Sequence, residues 1–207
     1  MALTQTQVSQ LYVSVFGRAS EGEGNTYWQT NQADMVSTAD TMLATDAAKT
    51  YFGASLDDDQ AFVEHIYNTT LGKTYADDKA GVDYWVSELA AGKSRGEMIT
   101  ALITAAVAPE NAGAAQDQFN NKVAVSDYTA DTITAAADAS DLSAFEDYVK
   151  NVTDDDATVT AAKGAVDADV PDTFTLTSGL ETLANANDAV VDFLATLDYD
   201  DDPDTDD

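Results

Sequence analysis

Apolar residues recur at helical spacing from the first residues onward. Thr4 and Gln7 have the spacing of a capping box, and behind them Val8, Leu11, Tyr12, Val15 and Phe16 fall on one face of a helix over 4–16. Gly17 stands where a helix stop is expected. The pattern returns over 57–71. There Asp57-Asp58-Asp59 suits the positive end of a helix dipole, Phe62, Ile66, Tyr67 and Leu71 form the stripe, and Gly72 ends it. Ser94 and Glu97 form a second capping box ahead of Met98, Ile99, Leu102 and Ile103. The pattern predicts helix throughout 114–150, with Phe119, Val123 and Tyr128 on one face and Leu142, Phe145, Tyr148 and Val149 on another. A further short helix starts at Asp154-Asp155-Asp156. After Pro171 the period changes to two: Thr173-Phe174-Thr175-Leu176-Thr177 alternates as a half-buried strand does, and Ser178-Gly179 makes a turn. The predicted fold is mainly α, an array of about eight short helices with a small β element near 173–177.

Two of these segments are copies of one unit. Leu11-Tyr12 and Gly17 correspond to Ile66-Tyr67 and Gly72, and Gly24 with Tyr27-Trp28 corresponds to Gly81 with Tyr84-Trp85. The tyrosines Tyr12 and Tyr67 lie 55 residues apart and the tryptophans 57, so a two-residue difference in the connecting loop accounts for the shift. Both tryptophans of the chain fall at matching positions, and such self-similarity is a strong architectural signal. The expected organisation is a helical domain over 1–170, with units at about 5–53 and 57–108 and further helices over 114–168, followed by a strand-containing acidic segment over 171–207.

Composition then narrows the partners. Thirty-eight acidic residues against 9 basic ones give a net charge of -29, which repels nucleic acid and anionic headgroups; neither is an expected direct partner. Divalent cations can bridge such a surface to an anionic one, because Ca²⁺ takes oxygen ligands from both sides. The absence of cysteine excludes disulfides, thiolate metal sites and thiol catalysis. Met1-Ala2-Leu3-Thr4-Gln5 has neither the basic start nor the apolar run of a cleavable signal, and no stretch approaches the roughly 20 apolar residues of a membrane helix.

Candidate chemistry is sparse. His65 is the only histidine, stands one residue from an apolar stripe and has no nucleophile arranged beside it, so no catalytic residue is assigned and the chain is expected not to be an enzyme. A phosphate-binding glycine loop and a His-Glu-x-x-His zinc motif are both missing. Tyr27, Trp28, Tyr84 and Trp85 are the glycan-binding candidates; the competing role is interhelical packing, which large aromatic side chains dominate and repeat signatures usually preserve. Asp198, Asp200, Asp202 and Asp204 are the metal-ligand candidates, since alternating carboxylates suit Ca²⁺, although neither a turn glycine nor a closing glutamate accompanies them. Asp57–Asp59, Asp77-Asp78 and Asp154–Asp156 are adequately explained as helix starts.

The run Leu11-Tyr12-Val13-Ser14-Val15-Phe16-Gly17-Arg18-Ala19, followed by Gly24-Asn25-Thr26-Tyr27-Trp28, resembles a helical repeat of secreted bacterial proteins. The second copy, with Gly72-Lys73, Gly81, Tyr84-Trp85-Val86, Leu89, Gly92 and Ser94, is more similar still. That repeat is catalogued as a domain of unknown function and occurs in adhesins, calcium-repeat exoproteins and surface-layer proteins. The order of features is most similar to the N-terminal part of Gram-negative surface-layer (S-layer) proteins. The similarity extends to Ala19–Asn25, Phe52-Gly53 and Ser126-Asp127-Tyr128, and Thr173–Gly179 resembles the strand that opens their calcium-binding β-region. The resemblance implies a structural protein at the outer face of the outer membrane, exported by a type I route, attached to lipopolysaccharide and self-assembling into a lattice with Ca²⁺. Glycine-aspartate nonapeptide repeats do not occur in this sequence, so 171–207 is expected to be the truncated start of a β-domain. A helical spacer of a secreted adhesin or calcium-repeat exoprotein is the alternative the same resemblance allows.

Overall fold

Among the described residues, six helices start behind a Ser, Thr or Asp side chain that caps them. The computed structural model describes residues 2–137 and 142–169, which hold ten α-helices. The first unit contains α1 (Gln5–Leu11), α2 (Gly22–Asn31), α3 (Met35–Leu43) and α4 (Asp46–Phe52); the second contains α5 (Asp59–Leu71), α6 (Lys79–Ala90) and α7 (Arg95–Ala106). Then come α8 (Ala114–Thr132), α9 (Leu142–Lys150) and α10 (Asp156–Asp169). Both predicted capping boxes are formed: Thr4 with Gln7 opens α1 and Ser94 with Glu97 opens α7. Asp34, Thr45, Asp58 and Asp78 cap α3, α4, α5 and α6 by accepting a backbone N–H three residues on. Each satisfies a donor that the first turn otherwise leaves open. No strand occurs among the described residues; the strand expected at 173–177 lies outside them, as do Asp198, Asp200, Asp202 and Asp204.

Two segments depart from the periodic reading. The helix expected over 4–16 widens after Leu11 into a π-helical turn, Tyr12–Phe16, before Gly17 closes it at φ 61°. All five residues of that turn are buried, because α3, α4, α5 and α8 surround it. A one-sided stripe cannot describe a segment packed on every side. The second departure is in 114–150, where helix does not run through: α8 ends at Thr132 and α9 begins at Leu142. The chain leaves α8 in time for the Ile133 carbonyl to accept the Gly22 N–H at 2.9 Å, a bond between residues remote in sequence.

Two apolar clusters hold the helices. The larger one gathers Val8, Leu11, Tyr12, Val15, Met42, Phe62, Ile66, Met98, Ile99 and Phe119, from α1, the π-helical turn, α3, α5, α7 and α8. The smaller one joins α8, α9 and α10 through Val125, Phe145, Tyr148, Val149 and Val166. Between α1, α2 and α8 the core turns polar. Ser9, Ser20, Asn25 and Ser126 are fully or almost fully buried. Asn25 Nδ2 donates to Ser20 Oγ at 2.9 Å and Ser9 Oγ at 3.2 Å, and Ser126 Oγ accepts the Ser20 N–H at 2.9 Å. The loop Gly17–Glu21 is buried, which is tolerable only because its backbone finds such partners; Ala19 N–H, for example, donates to the Phe145 carbonyl at 2.9 Å.

Candidate functional site

The repeated signature builds the same constellation twice. In the first unit the Tyr12 hydroxyl sits over Gly24, where an added Cβ would stand 2.5 Å from it, and has Trp28 and Arg18 as hydrogen-bonding neighbours. In the second unit the Tyr67 hydroxyl sits over Gly81 at the same 2.5 Å, with Trp85 as its hydrogen-bonding neighbour. The glycine is the seat of the tyrosine, and the tryptophan holds its hydroxyl, so the motif residues depend on one another. Burial pushes both phenols up, with a carboxylate beside each adding to it: Glu21 for Tyr12, and Asp78 for Tyr67, which reaches about 12.

The two copies differ in what happens to the basic and acidic residues of that loop. Arg18 and Glu21 form a 2.8 Å ion pair with side chains only 10% exposed. The guanidinium also lies over the rings of Tyr12, Phe16 and Phe145 at 4.8, 5.5 and 5.9 Å. The corresponding Lys73–Asp78 pair is looser, 3.5 Å, and its side chains are 38% and 33% exposed. The first ion pair is buried, although Arg18 also borders a cleft of about 370 Å³ with Phe16, Thr50 and Tyr51; the second pair is a third exposed.

Two clefts reach the aromatic candidates. The larger, about 550 Å³, runs along α2 and is lined by Gln5, Glu23, Asn25, Tyr27, Gln29, Thr30, Asp131 and Thr134, among others. Gln5 ties its walls together, donating to the Asp127 carbonyl at 3.1 Å and to Asp131 Oδ1 at 3.0 Å. The smaller, about 220 Å³, lies in the second unit between Tyr67, Leu71, Lys73, Asp78, Trp85, Leu102, Ala105, Asn111 and Gln116.

The four aromatic candidates therefore separate. Trp28 and Trp85 pack partly buried against the main core, each against its neighbouring tyrosine in an edge-to-face pair, at 5.3 and 4.9 Å. Tyr27 and Tyr84 are each 54% exposed. Tyr27 lines the larger cleft and Trp85 the smaller one. Sequence reasoning missed the polar partners of both clefts. Gln5 and Asp131 meet across 126 residues, and Asn111 and Gln116 follow no motif. Lys73 and Asp78 were traceable, because they occupy the positions of Arg18 and Glu21 in the repeat.

The remaining titratable groups have structural explanations. His65 lies edge-on to Tyr51 and tilted against Phe52, both at 4.8 Å, and burial lowers its pKa below the usual imidazole value. No group of three or more metal-ligating side chains occurs among the described residues, and no described helix is long and apolar enough to cross a membrane. Asp58, Asp78 and Asp155 are occupied as local caps, each accepting a backbone N–H.

Residues 39–113 match the model of a family described as a domain of unknown function (DUF4214). The matched segment runs from within α3 to the residue before α8 and contains all of α5, α6 and α7, hence the second constellation and the smaller cleft except for its wall from α8. No curated protein and no solved structure matches the chain.

Proposed function

We propose that this chain is a non-catalytic structural module of a bacterial cell-surface protein, attaching it to lipopolysaccharide or another surface polysaccharide and to its neighbours, with Ca²⁺ screening the acidic faces. The observation that carries the reading is the α2 cleft. An exposed tyrosine ring offers a flat apolar plate, and amide, hydroxyl and carboxylate groups surround it. That combination suits a sugar ring, which presents an apolar face and a rim of hydroxyl groups. The charge decides where on the polymer contact is made. A chain of net charge -29 is repelled by phosphorylated portions, so the neutral sugars are the natural contact and a divalent cation lowers the cost of approach. Resemblance to the anchoring region of S-layer proteins supports the same role and an extracellular location.

The test is binding of the purified chain to purified lipopolysaccharide, with Ca²⁺ and with chelator. Binding strengthened by Ca²⁺ and weakened on the order of tenfold by Tyr27→Ala is expected. No binding in either condition ends the attachment reading and leaves the helical spacer of a secreted adhesin as the better one.

A further inference from the structure

We infer that the smaller cleft of the second unit is a separate binding site for a single monosaccharide ring. The inference takes its ligand class from the polysaccharide reading above, but the observations behind it are different. The first is a difference between the two copies in the loop ion pair. Where the first unit packs Arg18 onto Tyr12, Phe16 and Phe145 and pairs it tightly with Glu21, the second leaves Lys73 and Asp78 3.5 Å apart and a third exposed, on the edge of an open space. The first unit has a cleft at the matching place, about 370 Å³ and lined by Phe16, Arg18, Ala47, Thr50 and Tyr51, but there the cation is already committed to Glu21 and to the rings.

The second observation is the composition of the walls. Trp85, Leu71 and Leu102 give the cleft an aromatic and aliphatic side. Facing chemistry comes from Lys73, Asp78, Asn111 and Gln116. Asn111 Nδ2 donates to the Ala105 carbonyl at 2.8 Å, and Gln116 Nε2 to the Ala106 and Ala108 carbonyls at 2.7 and 2.8 Å. Those bonds close the C-terminal end of α7 and use both N–H groups of Gln116 and one of the two on Asn111. What the two side chains still bring to a ligand is one Asn111 N–H and their amide oxygens. Together with the Asp78 carboxylate they make the cleft rich in acceptors, with the Lys73 ammonium as its cationic donor. A ligand that satisfies it carries several O–H or N–H donors on one edge and an apolar face for the Trp85 side, which describes a pyranose. The volume, about 220 Å³, is below the roughly 300–1,000 Å³ of sites for drug-sized ligands, so one ring is held rather than a stretch of chain.

The experiment uses the intact chain and NMR titration with glucose, mannose, rhamnose and 2-acetamido-2-deoxyglucose at millimolar concentrations. At least one sugar should shift the Trp85 indole signal and the Asn111 and Gln116 side-chain amides saturably, leaving the Trp28 indole in place. Ala105→Phe, at an exposed helical position on the cleft wall, should abolish those shifts while the circular dichroism spectrum is unchanged; Lys73→Gln should weaken them should the phenylalanine variant fold poorly. Absence of any saturable shift at Trp85, or shifts that survive Ala105→Phe, overturns the site. The two readings fail separately: polysaccharide binding without monosaccharide shifts removes only this cleft, and the converse removes only the attachment role.

Discussion

Lys122 carries its charge where water hardly reaches. It is 6% exposed, and its Nζ donates to the Thr69 carbonyl at 2.6 Å, one of the last carbonyls of α5. The negative end of that helix favours the ammonium, but burial outweighs it and lowers the pKa to about 8. The unfolded lysine titrates near its ordinary value, so between pH 8 and 10 the unfolded state binds more protons than the folded one. Stability must therefore rise with pH across that window. Above it the trend reverses. Burial raises Tyr12, Tyr51 and Tyr67, so the unfolded chain loses phenolic protons first and the stabilisation from those phenols is lost. Chemical denaturation at a series of pH values should show a maximum near pH 10. Lys122→Met should flatten the rise and stabilise the protein at pH 7 by about 1–2 kcal/mol, the usual sign when a buried charge gives way to a hydrophobe. A pH-independent midpoint between 8 and 10 in the wild type contradicts this. Nothing in the sequence marked Lys122 as buried, because its neighbours in α8 alternate apolar and polar residues without a distinctive lysine signal; only the packing of α8 on the end of α5 places it there.

At the scale of elements, α3 and α7 make the most extensive helix contact, and Gly96 lets them approach closely. A Cβ at that position would stand 2.5 Å from the Val36 carbonyl oxygen and 2.6 Å from the Asp40 carboxylate. The same carboxylate accepts the Gly96 N–H at 2.8 Å and the Ser94 hydroxyl at 3.0 Å, so α3 caps α7 from outside as the Ser94–Glu97 box caps it from within. Gly96→Val has to push backbone against backbone and should cost about 2–3 kcal/mol in urea denaturation. Gly164 in α10 is the control: a Cβ there meets no atom within 4 Å, so Gly164→Ala should stabilise by about 0.5–1 kcal/mol from helix propensity alone. Equal effects from the two substitutions would mean that α3 and α7 can separate freely. Caps and helix starts at this scale were legible in sequence, since they depend on residues three apart. The π turn at Tyr12–Phe16 and the break after Thr132 were not, because both answer to partners far along the chain.

For the whole molecule, charge is the dominant variable. With 38 acidic and 9 basic residues the folded surface repels itself, and the described salt bridges are mostly exposed pairs of little individual worth. Screening should therefore stabilise. Raising NaCl from about 0.1 M to 1 M, which shortens the Debye length from about 10 Å to 3 Å, should raise Tm by about 5 °C. Millimolar Ca²⁺ should do more than NaCl at equal ionic strength if carboxylates ligate it; a Tm that ignores both leaves Ca²⁺ without a stabilising role.

The sequence by itself determined the helical class, the caps, the duplicated unit and the sign of the surface, because each of these is set by residue type and short-range spacing. Tertiary structure decided which half of each Tyr-Trp pair is exposed and which copy's ion pair is buried. Trp28 and Trp85 are drawn inward by the buried tyrosine hydroxyls, leaving Tyr27 and Tyr84 outside, and that depends on the seat at Gly24 and Gly81. The Arg18 loop is held by both α8 and α9, through Ser126 and the Phe145 carbonyl, while α8 approaches the Lys73 loop at Gly72; the first is a contact made across more than a hundred residues that no local pattern encodes.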